Sequence, residues 1–385
     1  MKVYSINKIK SILNSNKDCI LLFIILFFVY AYIYWFCNSD LAQHVIIAHK
    51  KYEEDCLFSG NFLLYFLIHV FSFFTGIWGL MKLSLCALLA FATTWRYWLV
   101  KQNFRKEQID SVKSTILSIS LLFVFIIPIY ILKGSIILSN WYLDYYVPNI
   151  WHNSTTIFLF PFALLLYFRS LEILRGKIDK LIIGQMIILV LCNVFIKPSF
   201  FFIFCVAYPI LLLHKYKFSR YFFQGLIPIL FGGGFLIIVY LTIYSNASDG
   251  SYVYLDFQTI FTYEFWQSRL GYILCSLLFP LLIYIVYRQK VIHDYEFWMC
   301  LLMLFCAIGI FLICKEGGPR ATHGNFYWQI VISLWLCFYY GLKTIVKELI
   351  YNKRPKDIIC LSIYSIHVLF GILYLFRYLF IHQYA

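Results

Sequence analysis

Four stretches of this sequence hold side chains that can do chemistry in an otherwise apolar chain. In Asn38 to His44, the Asp40 carboxylate is suited to act as general base or electrostatic centre of a cavity, with His44 as a substrate contact. Trp141 to Thr155 puts His152, Asn153, Ser154 and Thr155 after a proline, among aromatic rings that can stack on a sugar, and His152 and Asn153 are the candidate contacts. In Lys197-Pro198-Ser199, a lysine held between two apolar runs by a proline turn is placed to meet a phosphate. Lys315 to Asn325 is the densest of the four. There Arg320 offers a planar fork for phosphate oxygens, His323 can share a proton, and Glu316 and Asn325 are further contacts.

Each stretch has a plainer alternative. Ser39 or Asp40 can simply cap a following helix, and Asn153 can do the same for its own. Lys197 can snorkel to lipid headgroups, and Glu316 can pair with Arg320 at the rim. Asn153-Ser154-Thr155 and Asn246-Ala247-Ser248 match the glycosylation sequon, a pattern that arises often by chance. The twelve cysteines are scattered, mostly in apolar runs, with no C-x-x-C and no metal-ligand spacing. Cys37, Cys56 and Cys314 fall near one membrane face, which leaves a disulfide open. No nucleotide-binding or cofactor motif stands out, and a divalent cation stays open as an alternative.

The elements that must position these residues are membrane helices. Of the 385 residues 62% are hydrophobic and 13% charged, and mean hydropathy is +0.79. Soluble domains are nearer half apolar and a quarter charged. The formal charge of +14 falls in short clusters between apolar runs, the pattern of topology signals, which argues against a nucleic-acid partner. The expected fold is all-α, a polytopic transmembrane helical bundle. It is one domain over residues 1–385 with no separate soluble module, and the lipid bilayer is its first partner.

Lys2, Lys8, Lys10 and Lys17 place the N-terminus inside, and the first apolar run reads as a retained signal-anchor. Residues 38–76 form an outer loop. Within it Leu41, Val45, Ala48 and Tyr52 recur at helical spacing, the pattern of an amphipathic helix on the outer surface. The apolar segment 62–74 is short for a span, and placing it in the interface keeps every later basic cluster inside. Further spans are then expected at 77–100, 115–132, 154–171, 181–196, 199–213, 222–245, 270–287, 297–314, 326–342 and 358–379. With the first helix these make about eleven spans and an outer C-terminus. Pro128, Pro161, Pro209, Pro228 and Pro280 are candidate kinks, and Gly232-Gly233-Gly234 permits a bend or close packing.

A first helix, an acidic residue at its outer end, then interfacial helices before the second true span together resemble the GT-C superfamily of polytopic glycosyltransferases. The residues that carry the resemblance are Asp40 and Leu41 to Phe74, ending in Thr75-Gly76. It covers about the first hundred residues and is architectural. Many relatives pair the Asp with an adjacent Glu, whereas Leu41 follows Asp40 here. The resemblance implies a polyprenyl-phosphate-linked sugar donor reaching the site from the outer leaflet and a glycan or lipid acceptor. Lys197 and Arg320 would hold the phosphate, and Asp40 would take the proton of the acceptor hydroxyl. His44, His152, Asn153, Glu316, His323 and Asn325 would orient the substrates. A surface-polysaccharide repeat-unit polymerase and a lipid-linked sugar transporter are the alternatives. The expected setting is a bacterial cytoplasmic membrane.

Overall fold

In lipid the backbone has no hydrogen-bond partner but itself, so long apolar runs become helices. The computed structural model describes residues 16–54, 61–127, 145–241, 250, 252–258, 262–320 and 324–383, with backbone only for 263–269 and 320. Its helices are α1 (Lys17–Phe36), α2 (Leu41–Glu53), α3 (Phe62–Phe71), α4 (Trp78–Lys106), α5 (Ser111–Phe123), α6 (Ser154–Leu174), α7 (Lys180–Ile196), α8 (Ser199–Tyr216), α9 (Arg220–Tyr240), α10 (Tyr263–Val291), α11 (Tyr295–Ile313), α12 (Trp328–Tyr351) and α13 (Pro355–Ile381). Two short strands, β1 (Tyr252–Leu255) and β2 (Cys314–Gly317), pair antiparallel with Val253 opposite Glu316. Gly317 lets the Tyr252 ring lie directly on the β2 backbone, where a Cβ would overlap it.

The all-α expectation therefore holds apart from this small sheet. Among the described residues nine helices are long and apolar enough to cross a membrane: α1, α4, α6 and α8 to α13. At 13 and 17 residues, α5 and α7 fall short of that length, and α3 has ten. Chain direction alternates so that the helices share two ends. One end gathers Asp40, Asn153 and Lys197, and the other gathers Glu107, Glu296 and Glu348.

Burial grades from centre to rim. In α12, 94% of the most apolar stretch is buried, against 17% in α1. Helix α4 packs against α1, α5 and α6, while α12 packs against α8, α10, α11 and α13. A helix apolar on every side suits either a central position or a lipid-facing one, so composition alone does not rank them. Gly232 permits close packing: a Cβ there would run into Val190 of α7 and Phe201 of α8. Gly233 and Gly234 face open space. Pro161, Pro209, Pro228 and Pro280 all lie inside helices, and the non-helical break in α10 falls at Tyr287. Pro128 lies outside the described residues.

The expected span at 115–132 needs correction. Helix α5 stops at Phe123, and Val124 to Ile127 continue as irregular buried backbone. Buried peptide groups need partners, and α13 supplies them. Phe125 N–H donates to the His367 carbonyl at 3.1 Å, and the His367 ring Nδ1 lies 2.7 Å from the Phe125 carbonyl. Gly371, one turn along, brings α13 so close that a Cβ would overlap the Phe123 carbonyl.

The segment Tyr145 to Asn153 is likewise irregular and buried. Tyr146 N–H donates to Ser276 Oγ at 2.9 Å, Val147 N–H to Tyr327 Oη at 3.2 Å, and Tyr327 Oη–H to the Tyr145 carbonyl at 2.8 Å. Arg96 of α4, 5% exposed, reaches the same segment and donates to Asn149 Oδ1 at 3.2 and 3.3 Å. Its guanidinium lies 4.3 Å from the centre of the Phe160 ring. Irregular backbone at this depth is tolerated because protein groups satisfy it. Lys82 sits one turn from the start of α4, over the Tyr34 ring at 5.7 Å.

Ion pairs close the Glu296 end. Glu296 meets Arg175 at 2.7 Å and also Lys343, while Glu107 meets Lys347 at 2.7 Å. Glu348 takes Lys290 at 2.5 Å and Arg354. These contacts join α4, α6, α10, α11, α12 and the start of α13. Breaking one partner of such a pair strands a buried charge, so they fix register more than they add stability.

Candidate functional site

Asp40 ends the short link between α1 and α2. It occupies the N-cap position of α2 but gives that helix no side-chain hydrogen bond, so the simple capping alternative does not hold. Its Oδ1 instead accepts from Ser154, at 2.8 Å from the backbone N–H and 2.6 Å from the hydroxyl, at the first turn of α6. Its backbone N–H donates to the His152 carbonyl at 3.1 Å. The other carboxylate oxygen lies 3.3 Å from His44 Nε2, and His44 Nδ1 lies 2.9 Å from Tyr65 Oη on α3. A carboxylate, an imidazole and a phenol are thus in line across α2 and α3. The Asp40 side chain keeps 26% of its surface exposed.

Helix α2 holds this line through its apolar stripe. Leu41, Val45 and Ala48 are fully buried, and α2 packs against α3 and α4. Tyr52, the fourth member of the expected stripe, reaches the rim and donates to the Phe74 carbonyl at 2.9 Å. The stripe therefore docks on protein, and Ile46 and Ile47 take the exposed side. Gly76 sits beneath Tyr52 with φ +66°, where a Cβ would lie 2.8 Å from the ring. That left-handed backbone and the close ring together call for glycine.

Helix α6 contributes the next layer. Asn153 caps it, Oδ1 accepting from Thr156 N–H at 3.1 Å, so the capping alternative holds for this residue. Asn153 is buried, which makes its sequon inaccessible in the folded chain. The same Oδ1 accepts from Lys197 Nζ at 3.0 Å, and Thr155 and Thr156 hydroxyls accept from Lys197 at 3.0 and 3.1 Å. All three ammonium protons thus have protein acceptors, and the Trp328 ring lies 4.6 Å from Nζ. Lys197 is 7% exposed and does not snorkel. It braces the α6 terminus, the positive end of the helix that faces Asp40.

Burial pushes the Lys197 ammonium down to about 7, and the Asp40 and Glu316 carboxylates hold it from falling further. His152 is pushed down to about 4, chiefly by burial and further by Lys197, with Asp40 opposing. It is therefore neutral at pH 7, with its ring between Trp328 and Tyr378 at 6.0 and 6.4 Å. For Asp40 burial works to raise the carboxyl, but His44 and Ser154 outweigh it and the net shift is downward. Asp40 is therefore an ionised acceptor.

Glu316 is buried on β2 and accepts from Asn325 Nδ2 at 2.7 Å. Its field reaches Lys197, which places the two stretches on one side of the bundle. The backbone of Arg320 closes a 3₁₀ turn, Gly318–Arg320, and its side chain lies outside the described residues, as does all of His323. A Glu316–Arg320 pair is therefore not described. Of the sequence candidates, Asp40, His44, His152, Asn153, Lys197 and Glu316 are linked by contact or field, with Asn325 attached through Glu316.

Ser154, Tyr65 and the end of α13 were not foreseen as parts of this site. Tyr378 Oη–H donates to the Asn38 carbonyl at 2.8 Å, and Asn38 N–H donates to the His382 carbonyl at 2.7 Å. The C-terminal helix thus clasps the Asp40 link. Cys37 and Cys314 are free thiols, and Cys56 lies outside the described residues. Among the described residues no three His, Cys, Asp or Glu side chains converge to hold a metal ion.

No family model, curated protein or solved structure matches this chain.

Proposed function

We propose that this chain is a membrane glycosyltransferase that moves a sugar from a polyprenyl-phosphate donor to a glycan or lipid hydroxyl at the Asp40 end. The observation that carries this reading is the partly exposed, ionised Asp40 beside the cationic α6 terminus and Lys197. Glycosyl transfer needs these two functions side by side: an acceptor for a hydroxyl proton and positive charge for a departing phosphate.

In the reaction the acceptor hydroxyl forms a bond from its oxygen to the anomeric carbon and gives its proton to Asp40. The bond from that carbon to the phosphate oxygen breaks, and its electron pair leaves with the polyprenyl phosphate. One displacement inverts the anomeric centre. The donor phosphate takes over at least one Lys197 proton from Thr155 or Thr156, and Arg320 adds its fork. His152, neutral and held by two rings, contacts sugar hydroxyls together with Asn153, Glu316, His323 and Asn325. His44, backed by Tyr65, keeps Asp40 oriented.

We further place the Asp40 end outside a bacterial cytoplasmic membrane and the N-terminus inside. Basic residues in support of this sidedness gather at the Glu296 end: Lys106, Lys113, Lys177, Lys180, Lys215, Lys217, Arg220, Lys353 and Lys356 among them.

The test uses the full-length chain in proteoliposomes with a panel of radiolabelled polyprenyl-phosphate sugars and membrane-extracted acceptors. Label moving into a product of defined, single-sugar increment supports the reading. A long processive ladder would point to a repeat-unit polymerase, and label crossing the bilayer without transfer would point to a transporter.

A further inference from the structure

At the opposite end of the bundle α1, α4 and α5 enclose a groove of about 450 Å³. Lys17, Lys101 and Arg105 line it with one carboxylate, Asp18, and with Ser111 and Thr115. Lys101 is 5% exposed and pairs with Asp18 at 2.6 Å, and Tyr97 Oη–H donates to the same carboxylate. Asp18 is thereby engaged by Lys101, and Lys17 and Arg105 leave the groove with a net positive charge. Its outer wall is apolar: Val112 and Ile116 are 69% and 61% exposed. Charge at helix ends beside an apolar, outward-facing wall is the arrangement that meets a phosphate ester carrying acyl chains.

We propose that this groove is a binding site for an anionic phospholipid of the leaflet at the Glu296 end. The phosphodiester lies against Lys17 and Arg105, its ester and headgroup oxygens accept from Ser111 and Thr115, and the acyl chains run along Val112 and Ile116. A soluble phosphate ester shares the headgroup chemistry but has no use for the apolar wall, which favours the lipid. The assignment rests on the chain being a membrane protein and is independent of the transferase reading.

The experiment reconstitutes the full-length chain in nanodiscs of mixed phosphatidylglycerol and phosphatidylcholine and counts retained lipids by native mass spectrometry. The Lys17→Gln/Arg105→Gln variant keeps the Lys101–Asp18 pair. A Lys177→Gln/Lys180→Gln variant removes the same charge from the same end, away from the groove. The proposal expects wild type and the control to retain phosphatidylglycerol preferentially. It expects the groove variant to lose that preference by about tenfold or more, since each cation near the surface is worth several-fold in binding. Millimolar glycerol phosphate leaves the bound lipid in place. Equal retention in wild type and groove variant overturns the site, and equal loss in both variants reduces it to diffuse attraction. Displacement by glycerol phosphate overturns the lipid assignment. None of these outcomes touches transfer at Asp40.

Discussion

Lys197 has exchangeable partners, and its environment carries a pH signature. Its ammonium faces Asn153, Thr155 and Thr156 of α6 and Trp328 of α12, with Asp40, Glu316 and His152 setting the field. With its value near 7, the free protein loses this charge as pH rises past neutrality. If the charged form receives the donor phosphate, kcat/KM for the donor is flat below about pH 7. Above that it falls towards tenfold per unit. In Lys197→Arg, which stays charged, the fall disappears. Folding stability runs the other way. The unfolded lysine holds its proton to about pH 10, so the unfolded state binds more protons between 7 and 10 and stability rises with pH there. A thermal melt series at pH 6.5 to 9.5 alongside the kinetics checks both signs. The residue types at 40, 44, 152, 197 and 316 were legible because charged and imidazole groups are scarce in this chain, and Asn153 because it follows His152 at the mouth of a span. Ser154 and Tyr65 were not, since serines are commonplace and Tyr65 is one of 32 tyrosines. Only the fold singles them out.

At the scale of elements, caps cross between helices. Asp40 serves the terminus of α6, more than a hundred residues on, instead of that of α2. Local spacing predicts caps within a helix but carries no record of one supplied from elsewhere. The end of α5 teaches the same point. The apolar run through 115–132 reads as one span, yet α5 stops where His367 and Gly371 of α13 receive its backbone. A Gly371→Ala substitution therefore separates α13 from Phe123 and costs upward of about 3 kcal/mol, the upper range for overpacking. In detergent it lowers the melting temperature and exposes native thiols, while Gly234→Ala, with open space at its Cβ, leaves both nearly unchanged. Similar melting of the two variants would contradict the close contact. The all-α class and most helix positions were readable from hydropathy, but the span count was not: about eleven were expected and nine described helices are long enough. The shortness of α5, the β1–β2 pair and the buried irregular segment at 145–153 depend on contacts far apart in sequence.

The whole molecule separates its two ends by chemistry. One carries ion pairs among basic clusters, and the other carries the Asp40–His44–Tyr65 line, the Lys197 brace and the clasp by α13. Because α13 finishes beside Asn38, the proposed sidedness puts the C-terminus outside. Alkaline phosphatase fused after Ala385 is then active and a green fluorescent protein fused there is dark; the reverse pair of results would invert the topology. The measurement that bears most directly on the central claim compares lipid-linked sugars and surface glycans in cells of the source organism. These cells carry either the intact chain or Asp40→Asn at equal membrane levels. The substitution is isosteric and leaves an oxygen for Ser154, so the fold is kept while the proton acceptor is lost. The account predicts accumulation of a polyprenyl-linked precursor and at least a hundredfold loss of one sugar transfer, the usual scale for removing a general base. Glycan and lipid profiles unchanged by Asp40→Asn would contradict it, and leave the Asp40 line as a structural tie between α2 and α6.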